Sequence, residues 1–174
     1  MRYFIIIIFF FGQCVFAQSS DNSVNRMNIK TNFSMKVLEA YEENSFSKVK
    51  DFYQFLQIYS DVTTSQALKE QVKGNIYSLY KTNSQIIDFF SSGKITLEKL
   101  LEKINAKGLK FKVKNIQKEA TSNNFWTNFY TLEIISKKEI LQHKIYQKIY
   151  FYPEEKSFGN KKKEVWTILL GEMQ

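Results

Sequence analysis

The hydrophobic period changes once along this chain, from near 3.6 to 2, at about Leu109. Before that point apolar residues recur at helical spacing. Val37, Leu38 and Tyr41 predict a short helix near Ser34 to Glu43, and Val49, Phe52, Tyr53, Leu56 and Tyr59 form an aromatic stripe along a second. Ser65 caps a third helix with Leu68, Val72, Ile76, Leu79 and Tyr80 on one face, which Gly74 weakens. Thr96 caps a fourth, with Leu97, Leu100, Leu101 and Ile104 inward and Gly108 where a left-handed C-terminal residue is wanted. Ile86 to Phe90 is too short for periodicity to separate strand from helical turn. From Leu109 the alternation is that of half-buried strands: Leu109, Phe111 and Val113 against Lys110, Lys112 and Lys114. Further strands are expected at Phe125 to Ile135, Leu141 to Tyr152 and Val165 to Leu170, with Pro153 and Glu154 to Ser157 as a link. Helices followed by a meander define an α+β domain over residues 34–174, its N-terminal helices packed on a curved antiparallel sheet of four or more strands, cone-like in shape.

The strand from Leu141 separates its faces cleanly. Leu141, His143, Ile145, Gln147, Ile149 and Phe151 point one way; Gln142, Lys144, Tyr146, Lys148, Tyr150 and Tyr152 point the other. A hairpin turning at Lys137-Lys138 sets Asn128 opposite Gln147, Tyr130 opposite Ile145 and Leu132 opposite His143. The inner face then carries Trp126, Asn128, Tyr130, His143 and Gln147, the candidate ligand-binding group. Buried amides and imidazoles need partners. Two arrangements supply them: a wet or ligand-filled concavity, or a cross-strand pair between Asn128 and Gln147 with His143 near an open edge. The outer face interleaves Tyr146, Tyr150 and Tyr152 with Lys144 and Lys148, a candidate interaction surface unless a helix covers it.

Catalytic chemistry is narrowly bounded. With one histidine, a histidine-cluster metal site is excluded; no acidic calcium loop, G-x-S-x-G turn or phosphate-cradling glycine loop is present. No metal or other cofactor is expected. A single general base remains open, with Asp88 or His143 as candidates.

Arg2 followed by the apolar run Phe4 to Phe11, then Gly12-Gln13 and a small residue at Ala17, has the layout of a secretory signal peptide over residues 1–17. The run is shorter than the roughly 20 residues a spanning helix needs. Export to the periplasm or medium is the expectation. Lipid anchoring at Cys14 is not, because bulky Gln13 precedes it. Residues 18–33 read as a polar, flexible leader. The formal charge of +8 comes almost wholly from lysine, Arg2 and Arg26 being the only arginines, so nucleic acid is not the expected partner. Lys161-Lys162-Lys163 and the lysines from Lys110 to Lys114 give a weak anionic-surface contact as a further reading.

The order of elements, closing on Val165-Trp166-Thr167-Ile168, resembles the nuclear transport factor two superfamily of cone-shaped α+β domains, whose last strand often carries a Trp followed two places later by an aliphatic residue. The resemblance covers roughly residues 34–174. It implies a bent sheet wrapping a helix around a pocket, used for isomerase or dehydratase chemistry in some members and for ligand binding, dimerisation or assembly in others. Active members typically project an Asp with a His or Tyr into the cone; here Tyr130 and His143 match the second role, and no Asp matches the first. A non-enzymatic exported binding or assembly domain is therefore the leading expectation, its partner a small ligand or a protein, a second copy of the chain included. A small-molecule isomerase or dehydratase is the alternative. A core position for Trp166 in the closing strand is also expected.

Overall fold

The computed structural model describes residues 33–122 and 124–174. The expected signal peptide, Cys14 and all but the last residue of the expected leader lie outside them. The order is α1 (Met35–Ser60), α2 (Gln66–Leu79), β1 (Ile86–Ile87), β2 (Lys94–Ile95), α3 (Leu97–Ile104), β3 (Lys110–Thr121), β4 (Phe125–Ile135), β5 (Ile140–Phe158) and β6 (Lys161–Met173). The fold is α+β: the helices pack on an antiparallel four-stranded sheet of order β3-β4-β5-β6, and β1 pairs with β2 in a separate small ladder. The sheet is open.

The two helices expected before Ser60 are one helix of 26 residues. The polar stretch between their stripes contains no Gly or Pro. Its hydroxyls stay inside the helix: Ser45 Oγ donates to the Glu42 carbonyl at 2.7 Å and Ser47 Oγ to that of Glu43 at 3.2 Å. Val49, Phe52, Tyr53 and Leu56 form the buried stripe. The caps read from the sequence are present: Ser65 Oγ accepts from Leu68 N at 3.4 Å, and Thr96 Oγ1 from Lys99 N at 3.3 Å. After α3 it is Ala106, at φ 57°, that takes the left-handed position closest to the helix end, and Gly108, at φ 60°, turns the chain into β3. Gly108 N donates to the Ser60 carbonyl at 2.7 Å, while Ser60 Oγ accepts from Leu109 N at 3.1 Å, so the end of α1 is stitched to the start of the sheet.

Ile86 and Ile87 are strand, and Phe89 and Phe90 lie in the following turn, which settles the segment left open by periodicity. The expected link at Pro153 and Glu154 to Ser157 is instead part of β5, which runs 19 residues and turns at Gly159, φ 61°. Pro153 is tolerated because β4 ends its pairing at Phe125 opposite Tyr150. Phe151 N still reaches the Asn124 carbonyl at 3.1 Å, but two residues further on no strand waits for an N–H. Beyond it β5 and β6 continue as a two-stranded arm in which Glu154 to Glu164 are exposed and Phe158 is 55% accessible.

The free edge of β6 is covered by the chain after α2: Lys81 N donates to the Leu170 carbonyl at 2.8 Å and Met173 N to that of Gln85 at 3.1 Å. Opposite Lys148 the β5–β6 register slips, and at Gly171 the Tyr150 ring lies so close that a Cβ would sit 2.5 Å from it. The core gathers the α1 stripe, Val72 and Ile76 of α2, Leu100, Leu101 and Ile104 of α3, and Leu132, Ile145, Ile149 and Leu170 of the sheet. Each such aliphatic side chain contributes roughly 1.5–3 kcal/mol through burial.

Candidate functional site

The β4–β5 hairpin has the register read from the sequence: Asn128 faces Gln147, Tyr130 faces Ile145 and Leu132 faces His143. Asn128, Tyr130 and Gln147 are fully buried and Trp126 nearly so, which puts them on the helix-covered face. Tyr130 and Gln147 are satisfied in a way that neither arrangement expected, while Asn128 Oδ1 has no partner. Asn128 and Gln147 do not bond one another. Tyr130 OH donates to Gln147 Oε1 at 2.8 Å, and Gln147 Nε2 donates to Tyr80 OH at 2.9 Å. Because the Tyr130 proton is used there, Tyr53 OH is the donor across the 3.0 Å contact between the two tyrosine hydroxyls. Asn128 Nδ2 donates to Ser45 Oγ at 2.9 Å.

Tyr53 and Tyr80, which complete this chain from α1 and the end of α2, were legible only as members of an apolar stripe. Nothing in their spacing shows that their hydroxyls meet a sheet glutamine. Burial raises the pKa of Tyr53, Tyr80 and Tyr130 above the ordinary tyrosine value, so all three stay neutral. This chain of neutral donors and acceptors fixes the positions of its side chains.

That chain fills the middle of the inner face and leaves Trp126 and His143 at its two ends. Leu132, the partner of His143, is six residues along β4 from Trp126, roughly 20 Å. The structure therefore brings Tyr130 and Gln147 together and keeps Trp126 and His143 apart, each beside its own opening. At the Trp126 end a groove of about 460 Å³ runs between the start of α1 and the far ends of β3 and β4. Phe33, Met35, Leu38 and Trp126 make it apolar, and Glu39, Glu42 and Lys118 rim it. Glu42 and Lys118 form an ion pair. Trp126 is 3% accessible and its Nε1 has no hydrogen-bond partner. A groove with this apolar lining suits a ligand that is mostly hydrocarbon.

At the other end a cavity of about 500 Å³ is bounded by Phe89, Ser91, Glu139, Leu141 and His143. His143 is half-buried, its ring 6.0 Å from that of Phe89, and its Nε2 is unpartnered. Asp88, the other base considered from the sequence, is buried and already engaged by Lys103, Ser91 Oγ and the Phe90 N–H. Burial works against its ionisation, but the bonds from Lys103, Ser91 and Phe90 outweigh it and hold the carboxyl down to about 2. It is a turn-holding anion and a poor base.

The stability consequence has a definite sign. A carboxyl whose folded pKa is depressed stabilises the fold above its unfolded value, near 4, and that contribution disappears as pH falls from there through about 2. Asp88→Asn is expected to lower stability by about 1–2 kcal/mol at pH 7, and to converge on the wild type by pH 2. Urea midpoints measured between pH 7 and pH 2 check this; parallel curves for the two proteins would contradict it.

On the outer face, Tyr146 is 41% accessible, Lys144 is exposed, and Lys148, Tyr150 and Tyr152 are half-buried. Phe129 packs on Tyr146 with centroids 5.0 Å apart, and Phe125 on Tyr150 at 5.9 Å. Lys81 Nζ sits 3.8 Å above the Tyr150 ring. Tyr150 OH donates to Glu172 at 2.9 Å. Burial, together with the Glu172 carboxylate, pushes the Tyr150 phenol up to about 12. Among the described residues no cluster of His, Cys, Asp and Glu converges as a metal site. In comparison with known proteins, no family model and no curated protein matches the chain.

Proposed function

We propose that this chain is an exported binding domain, without catalysis of its own, that holds an apolar ligand in the groove between α1 and Trp126. The observation that carries the reading is the apolar lining of the groove, made by Phe33, Met35, Leu38 and the buried Trp126. The neutral, mutually bonded interior supports binding over turnover. Export rests on the layout of residues 1–17. The order of three helices and a small hairpin before a four-stranded meander supports the resemblance to the nuclear transport factor two superfamily.

Titration with the neutral fluorophore N-phenyl-1-naphthylamine tests the groove. Emission should rise on binding, and Leu38→Glu should weaken binding at least about tenfold, because burying one leucine is worth more than 1.4 kcal/mol. Lys162→Ala, on the distal arm, should leave it unchanged. Equal affinity for wild type and Leu38→Glu would remove the groove from the reading.

The small-molecule isomerase or dehydratase reading is favoured by one observation, the unpartnered Nε2 of His143 beside the second cavity. Turnover of a carbonyl substrate that vanishes in His143→Ala would establish that reading and displace the first.

A further inference from the structure

We infer that the outer face of the sheet binds an anionic polysaccharide, with sugar rings lying on Tyr146 and Tyr152 and carboxylates meeting Lys81, Lys144 and Lys148. No residue is shared with the Trp126 groove, so the two sites stand or fall separately. Along β5 the outward positions read Lys144, Tyr146, Lys148, Tyr150, Tyr152, an alternation of cation and ring that spans roughly 27 Å. That is too long for one small ligand and suits a linear polymer whose charges and apolar faces also repeat. The row ends in a cleft of about 450 Å³ formed by Lys81, Thr82, Asn124, Tyr150, Tyr152 and Leu169. This cleft supplies a cation, a hydroxyl, an amide and two ring bodies at one place. A sugar ring presents an apolar C–H face with hydroxyls at its rim, and tyrosine, apolar in body and polar at the tip, offers the complementary surface.

Charge decides between occupants. Lys81 and Lys144 make no ion pair among the described residues, and Glu172 lies 3.8 Å from Lys148, so the row keeps a positive excess. A second copy docked face to face would set lysines against their own equivalents, which costs affinity. A lipid surface would need protruding apolar groups, whereas Phe125, Phe129 and Leu169 are half-buried against the sheet. A nucleic-acid strand would favour the planar fork of arginine for its phosphates and bases, and the face carries no arginine. Ammonium groups spaced along a shallow face fit the dispersed carboxylates of a hydrated uronic-acid polymer.

The test is affinity electrophoresis of the full chain through gels containing polygalacturonate, with dextran as the neutral counterpart. Retardation by polygalacturonate and not by dextran is expected. Tyr146→Ala and, separately, Lys144→Glu should each weaken retardation by about tenfold, an effect equal to ~1.4 kcal/mol. Both positions are exposed, and unchanged urea midpoints would show the variants folded. Lys161→Glu with Lys162→Glu makes a larger charge change on the distal arm and should matter less than Lys144→Glu alone. Four results overturn the inference: no retardation, wild-type retardation of Tyr146→Ala, an arm variant as weak as Lys144→Glu, or tighter binding to phosphatidylglycerol vesicles or oligothymidylate than to polygalacturonate.

Discussion

Tyr130→Ala is expected to lower the unfolding free energy by about 3–5 kcal/mol, among the largest effects available in this chain. Tyr130 is fully buried between α1 and the sheet, with its ring 5.9 Å from that of Tyr53, so truncation opens a cavity that neither layer can close. It also strands the Tyr53 hydroxyl and Gln147 Oε1. Tyr130→Phe isolates the second term: the ring stays, the two partners lose theirs, and the loss should be about 1–3 kcal/mol. In Gln147→Leu the Tyr130 hydroxyl loses its acceptor and the Tyr80 hydroxyl its donor. The double variant Tyr130→Phe/Gln147→Leu should therefore cost less than the sum of the singles, with a coupling of about 0.5–3 kcal/mol. Urea unfolding of the four proteins measures this. A Tyr130→Phe midpoint equal to that of the wild type would mean that the buried hydroxyl chain contributes nothing.

What made the sheet legible was its one-sided burial. Along β5 Leu141, Ile145, Ile149 and Phe151 share one face and leave one acceptable register, because a slip by one would bury Lys144, Lys148 and Tyr146 together. The same reasoning failed beyond Tyr152, where β5 and β6 pair with both faces wet. There the ladder joins Glu154 to Val165 and Ser157 to Lys162, and Lys162 also pairs with Glu155 at 2.7 Å; such partners carry no periodic signal. The join of α1 was hidden for a related reason. The apolar spacing lapses between Tyr41 and Val49, yet Ser45 and Ser47 there each return a hydroxyl to a carbonyl of the preceding turn. Of the candidate site, the identity and shared face of Asn128, Tyr130 and Gln147 could be read. Their partners could not, since Tyr53, Tyr80 and Ser45 arrive from helices whose docking on the sheet no local pattern encodes. The same gap hid the division of the inner face into two openings, because the filling of its middle depends on those helix side chains.

The aromatic cluster at the open end of the sheet reverses an expectation about which ring closes the fold. Trp166 is half-buried, stacked on Phe151 at 4.7 Å and 23°, with Phe33 edge-on at 5.1 Å. Its partner across the ladder is Pro153, at the point where the sheet thins to two strands, so one side of the indole faces water. Phe151, by contrast, is 1% accessible and meets Phe33, Tyr41, Trp126 and Trp166. Phe151→Ala is expected to cost about 3–5 kcal/mol, because four rings lose a common neighbour. Trp166→Ala should cost less, about 1–3 kcal/mol, since much of the indole is already hydrated in the folded state. The two variants also differ spectroscopically. Phe151→Ala should disturb the emission of both tryptophans, Trp126 and Trp166, whereas Trp166→Ala leaves Trp126 as the sole emitter in its buried setting. Equal losses of stability would return Trp166 to the core, and a Trp126 spectrum unmoved by Phe151→Ala would separate the groove from the ring cluster behind it.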